Sequence, residues 1–310
     1  MSATLVLLFL IGTAAIVWSA CFVGCNLVHA GLPPRVTHFD QYQNTVTTTP
    51  GLVAFWPLNE TVRSRPPSTT VAVDLGPSHF NGAYLLGPSI PHSPGGFTLN
   101  EPNIVAGDGV SIGGHPVVLN PCVYFNGGYV SVPYHPELGP PAPGNFTLEA
   151  WVVPDWADAD THLSPRVVVA SAAAADFAGF ALLATPDNLW SAQIGIGSQF
   201  VPATTGNNQT IIQGSLYFLV VTYDGTTLTL WVNPAELTMP SPDASVAASG
   251  YVPVASPVPF YIGTGRPDLS TPQFPFKGRI QDVAFYNVVL DLNTIETHYM
   301  NGLGMRYSPF

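Results

Sequence analysis

The chain has 310 residues, of which 46% are hydrophobic and only 9% charged, and 19 acidic against 8 basic side chains give a formal charge of −11. That apolar content is enough to bury a sizeable core, which excludes disorder over most of the length. Seven Arg and the single Lys277 cannot build a phosphate-tracking surface, so nucleic acid and polybasic attachment to anionic lipid are excluded too.

No charged residue occurs from Ala3 to Ala30, and a membrane-spanning helix needs about 20 apolar residues. Residues 1–30 are therefore predicted to be an N-terminal hydrophobic helix that meets a membrane. Two fates fit it: cleavage as a signal peptide after Val28-His29-Ala30, or retention as a transmembrane anchor. Retention is favoured because no Lys or Arg precedes Arg35 and the run exceeds an ordinary signal core of about 7–15 residues. Cys25 follows Phe22-Val23-Gly24, a distant likeness to a lipoprotein cleavage box, but the simpler reading makes Cys21 and Cys25 small apolar residues of the helix. Only Cys122 lies beyond this segment, so an exported domain could form no internal disulfide.

Residues 31–50 read as a linker with a short helix, since Phe39, Tyr42 and Val46 fall at helical spacing before Pro50. The remainder, 51–310, reads as a single β domain. Runs rich in Val, Ile, Phe, Tyr and Trp recur at Leu52–Pro57, Cys122–Phe125, Phe146–Val153, Val167–Ser171, Phe180–Leu183, Ala192–Ile196, Tyr217–Tyr223, Leu228–Val232, Phe260–Ile262 and Ile280–Tyr286, with turn-forming clusters between them. Tyr223-Asp224-Gly225 predicts a tight hairpin, because Asp-Gly accepts the positive φ values such turns require. Residues 87–120 form a Gly/Pro-rich excursion. Asp291 to Tyr299 predicts a helix of one to two turns, with Asp291 as N-cap and Gly302 just past its end.

Several motifs carry a family resemblance in the right order. Pro50-Gly-Leu-Val-Ala-Phe-Trp-Pro-Leu-Asn-Glu60, Asp74-Leu-Gly-Pro-Ser-His-Phe-Asn-Gly82, Tyr124-Phe-Asn-Gly-Gly-Tyr-Val-Ser-Val-Pro133 and Phe146-Thr-Leu-Glu-Ala-Trp-Val-Val-Pro154 are followed by Val221-Thr-Tyr-Asp-Gly-Thr-Thr-Leu-Thr-Leu-Trp-Val-Asn233 and Gly278-Arg-Ile-Gln-Asp-Val-Ala-Phe-Tyr-Asn287. Residues 50 to about 302 thus resemble the laminin-G-like, concanavalin A-like jelly-roll family. The resemblance implies an all-β, two-sheet antiparallel sandwich, an export context, and a role in binding glycans or proteins. Asn233-Pro234 departs from the family's Asn-Gly, so the stretch to Ser249 is expected to be an insertion. Arg35 as the first cation points to a cytoplasmic domain by the positive-inside rule; the export context implied by the family is preferred over that single residue.

Hydrolases of this fold place paired carboxylates on one strand, and glycosidic cleavage needs two of them. Here Glu60, Glu101, Glu137, Glu149, Glu236 and Glu296 are scattered singly, and Trp151 stands where Glu149 would need an acidic partner. No nucleophile elbow or zinc-spaced His pair is present, so the protein is expected not to be an enzyme. A calcium ion is the specific cofactor considered, held by oxygens of Asp74, Asn81, Asp282 and Glu60 at a loop edge. The alternative is that Asp74 and Asp282 accept backbone N–H bonds. Ile280 and Val283 both read as core-facing, which predicts a β-bulge at Gln281–Asp282.

Alternation separates Phe146, Leu148, Ala150 and Val152, facing the core, from Thr147, Glu149, Trp151 and Val153. Glu149 and Trp151, joined by Trp190 and Trp231, are the candidate ligand platform: aromatic faces for a sugar ring and a carboxylate for its hydroxyls. The competing reading is that loops such as 87–120 cover these rings, since Trp is highly buried on average. Trp56 is assigned to the core. His115, His135 and His162 read as surface residues. Asn59, Asn145 and Asn208 head glycosylation sequons, relevant in a eukaryotic secretory pathway. The functional expectation is a surface-displayed or exported binding module for a glycan or protein. The alternative is a structural subunit of a filament, sheath or virion, with oligomer neighbours packed on the sandwich.

Overall fold

A computed structural model describes residues 36–61, 70–87, 95–106, 108–112, 115–117, 120–156, 164–234, 241–255, 257–265 and 273–305. The hydrophobic segment 1–30, with Cys21 and Cys25, lies outside them. Among the described residues no helix is long and apolar enough to cross a membrane.

The architecture is two antiparallel sheets of eight strands each. Elements in chain order are β1 (Val36–Asp40), α1 (Gln41–Thr48), β2 (Leu52–Trp56), β3 (Thr70–Ala72), β4 (Gly82–Leu85), β5 (Gly96–Glu101), β6 (Asp108–Ile112) and β7 (His115–Val117). They continue with β8 (Cys122–Asn126), β9 (Tyr129–Val132), β10 (Phe146–Pro154), β11 (Arg166–Ala173), β12 (Ala178–Ala184), β13 (Trp190–Gly195) and β14 (Phe200–Thr204). The last are β15 (Tyr217–Tyr223), β16 (Thr227–Val232), β17 (Ala244–Ala247), β18 (Phe260–Ile262), β19 (Lys277–Tyr286) and α2 (Leu292–Gly302). Sheet I has the order β17-β16-β15-β10-β19-β8-β5, with β2 also paired to β19; sheet II has the order β14-β13-β12-β11-β18-β9-β4-β3. A third, three-stranded sheet has the order β1-β6-β7, with β6 and β7 as an antiparallel hairpin.

All ten predicted strands are present, most with one or two residues added at an end. Their alternation builds the core as read: Phe146, Leu148, Ala150 and Val152 face inward from β10, and Trp56 is wholly buried with its indole N–H donating to Phe80 O at 2.9 Å. The Asp224-Gly225 hairpin joins β15 to β16, with Gly225 at φ +92° and the Asp224 carboxylate accepting from Thr226 and Thr227 N–H. The Thr226 hydroxyl, donating to the same carboxylate at 2.7 Å, together with those N–H bonds holds the Asp224 carboxyl below its usual range. The predicted bulge is real. Asp282 sits at φ +54°, the register against β10 shifts between Glu149 and Trp151, and Ile280 and Val283 both enter the core.

Other expectations are corrected. The 87–120 excursion contributes an edge strand, β5, to sheet I, and the 233–249 insertion contributes the opposite edge, β17. Phe39 lies in β1 rather than α1, which keeps only Tyr42 and Val46 on its buried face. Helix α2 runs 11 residues, longer than the expected one to two turns, with Asp291 Oδ1 accepting Thr294 N–H at 2.8 Å as N-cap and Gly302 as its last residue. Gly302 is small for a steric reason: a Cβ there would overlap the Trp151 ring. Gly302→Ala is accordingly expected to destabilise the domain by about 1–3 kcal/mol through overpacking. Urea unfolding checks this, and an unchanged midpoint would mean that the ring can yield.

Candidate functional site

The outer face of sheet I is closed by α1 and α2. Trp151 packs between Phe218 (centroids 4.6 Å apart), the edge of Tyr42 (5.8 Å) and the stacked ring of Tyr299 (5.8 Å). Two residues earlier on the same face, Glu149 Oε1 lies 2.8 Å from His298 Nδ1, and Tyr286 Oη donates to Glu149 Oε2 at 3.2 Å. Glu149 and His298 are both fully buried. Burial first, and the Glu149 charge next, raise the Tyr42 and Tyr286 phenols well above their ordinary range.

This layer ties the two helices to the sheet and to each other. Gln41 Nε2 donates to Asn301 Oδ1 (2.9 Å), Asn301 Nδ2 donates to Thr45 Oγ1 (2.7 Å), and His298 Nε2 meets Thr49 Oγ1 (2.9 Å). The last contact superficially has the hydroxyl–imidazole–carboxylate order of a nucleophile relay. Proton counting removes that reading. Thr49 Oγ1 also donates to Thr45 O at 2.7 Å, so its hydroxyl proton is already committed to a backbone acceptor. A hydroxyl held by that carbonyl is not poised to give its proton to the ring, and the arrangement serves as a latch.

The expected platform therefore does not form. Glu149 and Trp151 are 0% exposed beneath the helices, and Trp190 is 1% exposed in the inter-sheet core, edge-on to Tyr217. Trp231 is half-buried and packs on the Trp151 cluster. The cover comes from α1 and α2, joined by Ile104 and Val105 of the 87–120 stretch, which pack in the same cluster as Trp151. His298 is the residue that sequence reasoning missed. The signal available was the α2 stripe Ile295, His298, Asn301 and Gly302, all buried.

Three of the four proposed calcium ligands converge, but as backbone acceptors. Asp74 Oδ1 accepts from Phe55 N–H and Gly76 N–H (both 2.7 Å), Oδ2 accepts from Phe80 N–H (2.6 Å), and Asn81 Oδ1 accepts from Asp74 N–H (2.9 Å). Glu60 accepts from Val73 N–H and Tyr84 Oη. Burial raises the Glu60 carboxyl above its usual range, and those two bonds partly offset the rise. Asp282 is fully buried at the bulge, its N–H donating to Pro57 O. Among the described residues no three His, Cys, Asp or Glu side chains are grouped so as to hold a metal. His135, half-buried, tilts against Phe80 at 3.9 Å instead of standing alone on the surface. His115 is on β7, its side chain not among those described, and His162 lies outside the described residues. Of the sequons, Asn145 and Asn208 are exposed, and Asn59 is half-buried against Asn120.

The outer face of sheet II is built differently. Cross-strand pairing aligns Val71, Ala83, Ser131, Tyr261, Ala170, Ala181, Gln193 and Pro202 in one row across all eight strands, without a single charge. Over its β11–β14 half lies a cleft of ≈ 250 Å³, walled by Val167, Ala170, Ala181, Leu183, Phe200 and Phe274, with the Gln193 amide as a polar group in the lining. Small side chains along β11 and β12 leave room there for a visiting group, which charged side chains would otherwise have to lose hydration to accept.

A family profile described as the concanavalin A-like lectin/glucanases superfamily matches residues 126–296, more than half of the chain. The chain belongs to this superfamily. Among solved structures, this superfamily member is similar to Trypanosoma rangeli sialidase (18% identity, 82% of this chain and 33% of that one, TM-score 0.47). It is also similar to the Ruminococcus gnavus IT-sialidase CBM40 bound to α2,3-sialyllactose (12% identity, 50% and 82%, TM-score 0.40). A botulinum neurotoxin type C structure, whose cell entry depends on two ganglioside molecules, is similar at 10% identity (84% and 53%, TM-score 0.49). The chain spans about a third of the length of the trypanosomal sialidase. Nothing among curated protein sequences matches.

Removing one partner of the buried Glu149–His298 pair strands the other, so Glu149→Ala and His298→Ala are each expected to cost about 3–5 kcal/mol. The double variant should cost less than their sum. Denaturant unfolding of the four proteins measures it, and simple additivity would show that the pair is not coupled. Asp74→Ala, which leaves three N–H donors behind, should lower the thermal midpoint equally in calcium and in EDTA. A midpoint that rises only with calcium would show the ion competing for those oxygens.

Proposed function

We propose that this protein is a non-catalytic binding domain, exported or tethered by its N-terminal apolar segment, that holds a protein neighbour on the outer face of sheet II. The observation that carries this reading is the charge-free row across all eight strands, with an apolar cleft at its β11–β14 half. Charged residues are depleted at the cores of protein interfaces, and a wall of Ala, Val, Leu and Phe offers a saccharide few hydrogen bonds. A second reading, subunit packing within a surface assembly, uses the same face with another copy as the neighbour. The chain's charge of −11 favours it, because like copies repel least where neither carries charge.

A photo-crosslinking residue placed at Gln193 in the full chain tests the proposal on the producing cell, with exposed Asn293 on α2 as control position. An adduct specific to position 193, lost in a background carrying Ala181→Glu with an unchanged melting midpoint, is the expected result. An adduct of twice the chain's mass identifies the assembly reading. No adduct at 193, or equal adducts at both positions, would overturn the proposal.

A further inference from the structure

A second surface, on the exposed part of sheet I, carries a different chemistry. Lys277 and Arg279 stand two apart on β19 and so share one face, which is the outer one because Ile280, Val123 and Phe125 point into the core. Directly across on β8 are Asn126, opposite Lys277, and Tyr124, opposite Arg279; Thr98 on β5 extends the row beyond Tyr124. All four of these β8 and β19 side chains are half-buried, and Thr98 is exposed. Tyr124 Oη donates to Asp155 Oδ2 at 2.8 Å, and Asp155 N–H donates to Lys277 O at 3.0 Å, which fixes the phenol ring beside the two cations.

Of the eight basic residues in the chain, the described residues hold three, and the third, Arg166, is buried over the Trp156 ring. The two accessible cations among the described residues are therefore neighbours on one strand. Among the described residues the ion pair found is His298 with Glu149, and neither the Lys277 nor the Arg279 side chain has a hydrogen bond or ion pair. In a chain of −11, two adjacent cations thus stand beside an oriented aromatic ring, an amide and a hydroxyl.

The geometry points to a binding site for a saccharide bearing a single carboxylate or sulfate. Arg279 and Lys277 would take the anionic group, the Tyr124 ring would lie against the sugar, and Asn126 and Thr98 would meet hydroxyls. The limit to one charge follows from the surroundings: Asp155 and Glu101 border the patch, and the net charge repels polyanions. This site is independent of the sheet II face and would stand if that proposal failed.

Calorimetry on the full chain in mild neutral detergent tests it with four probes: 3′-sialyllactose, 3′-sulfated lactose, lactose and a glutamate-rich peptide. Binding to at least one of the two anionic sugars and none to lactose is expected, weakening as salt rises. Arg279→Gln should weaken that binding about tenfold or more, and Lys277→Gln should weaken it less, each with an unchanged melting midpoint. Should Arg279→Gln lower that midpoint, Lys277→Gln alone decides. The inference is overturned if neither anionic sugar binds, if lactose binds equally well, if the peptide binds better than either sugar, or if folded variants bind like the wild type.

Discussion

The inter-sheet aromatic stack is the contact on which the remaining organisation depends. Phe285 of β19 lies parallel to Phe180 of β12 at 5.6 Å and stacks on Phe146 of β10 at 5.8 Å, while Phe260 of β18 stacks on Trp56 of β2 at 5.0 Å. These rings join the middle strands of both sheets. Because side chains alternate along a strand, committing one set to this core dictates which residues appear on the two outer faces. The bulge at Asp282 is part of the same constraint. Without the extra residue, Ile280 and Phe285 could not both face inward on one strand.

The outer faces then meet different fates. Sheet I exposes large aromatics and carboxylates at its centre, and these are closed over by α1 and α2 through the Glu149–His298 bond, the Trp151 ring and the Gln41–Asn301–Thr45 links. A buried polar layer of this kind is costly when incomplete, which suits a latch between chain ends better than a site that must open. Sheet II turns uncharged side chains outward, some of them, such as Ala170, Ala181 and Tyr261, already buried, and burying the rest against a neighbour carries little desolvation cost. Among the described residues, Lys277 and Arg279 stand together at one end of sheet I.

Much of this was legible before any coordinates. Strands are short local patterns of Val, Ile and aromatic residues, so all ten predicted runs are strands, and the Ile280 and Val283 conflict was enough to locate the bulge. Edge strands β5 and β17 were missed because half-exposed edges need no apolar run. The candidate site fared worse. Glu149 and Trp151 read correctly as outer-face residues, yet most of what covers them comes from residues 41–48 and 292–302, more than a hundred positions away on either side. The Asp74 carboxylate reads as chemically special in the sequence, and in the fold it accepts N–H bonds from Phe55, Gly76 and Phe80.

The sequence by itself determined the class of fold, the alternation of β10, the hairpin at Gly225 and the scarcity of charge, because each depends on neighbours within a few residues or on composition alone. Only the tertiary structure decided which outer face the two helices seal. It also decided that His298 faces Glu149, that a charge-free row crosses eight strands, and that two of eight cations stand together. These are properties of strand register and of contacts between distant segments, set by how the core packs as a whole.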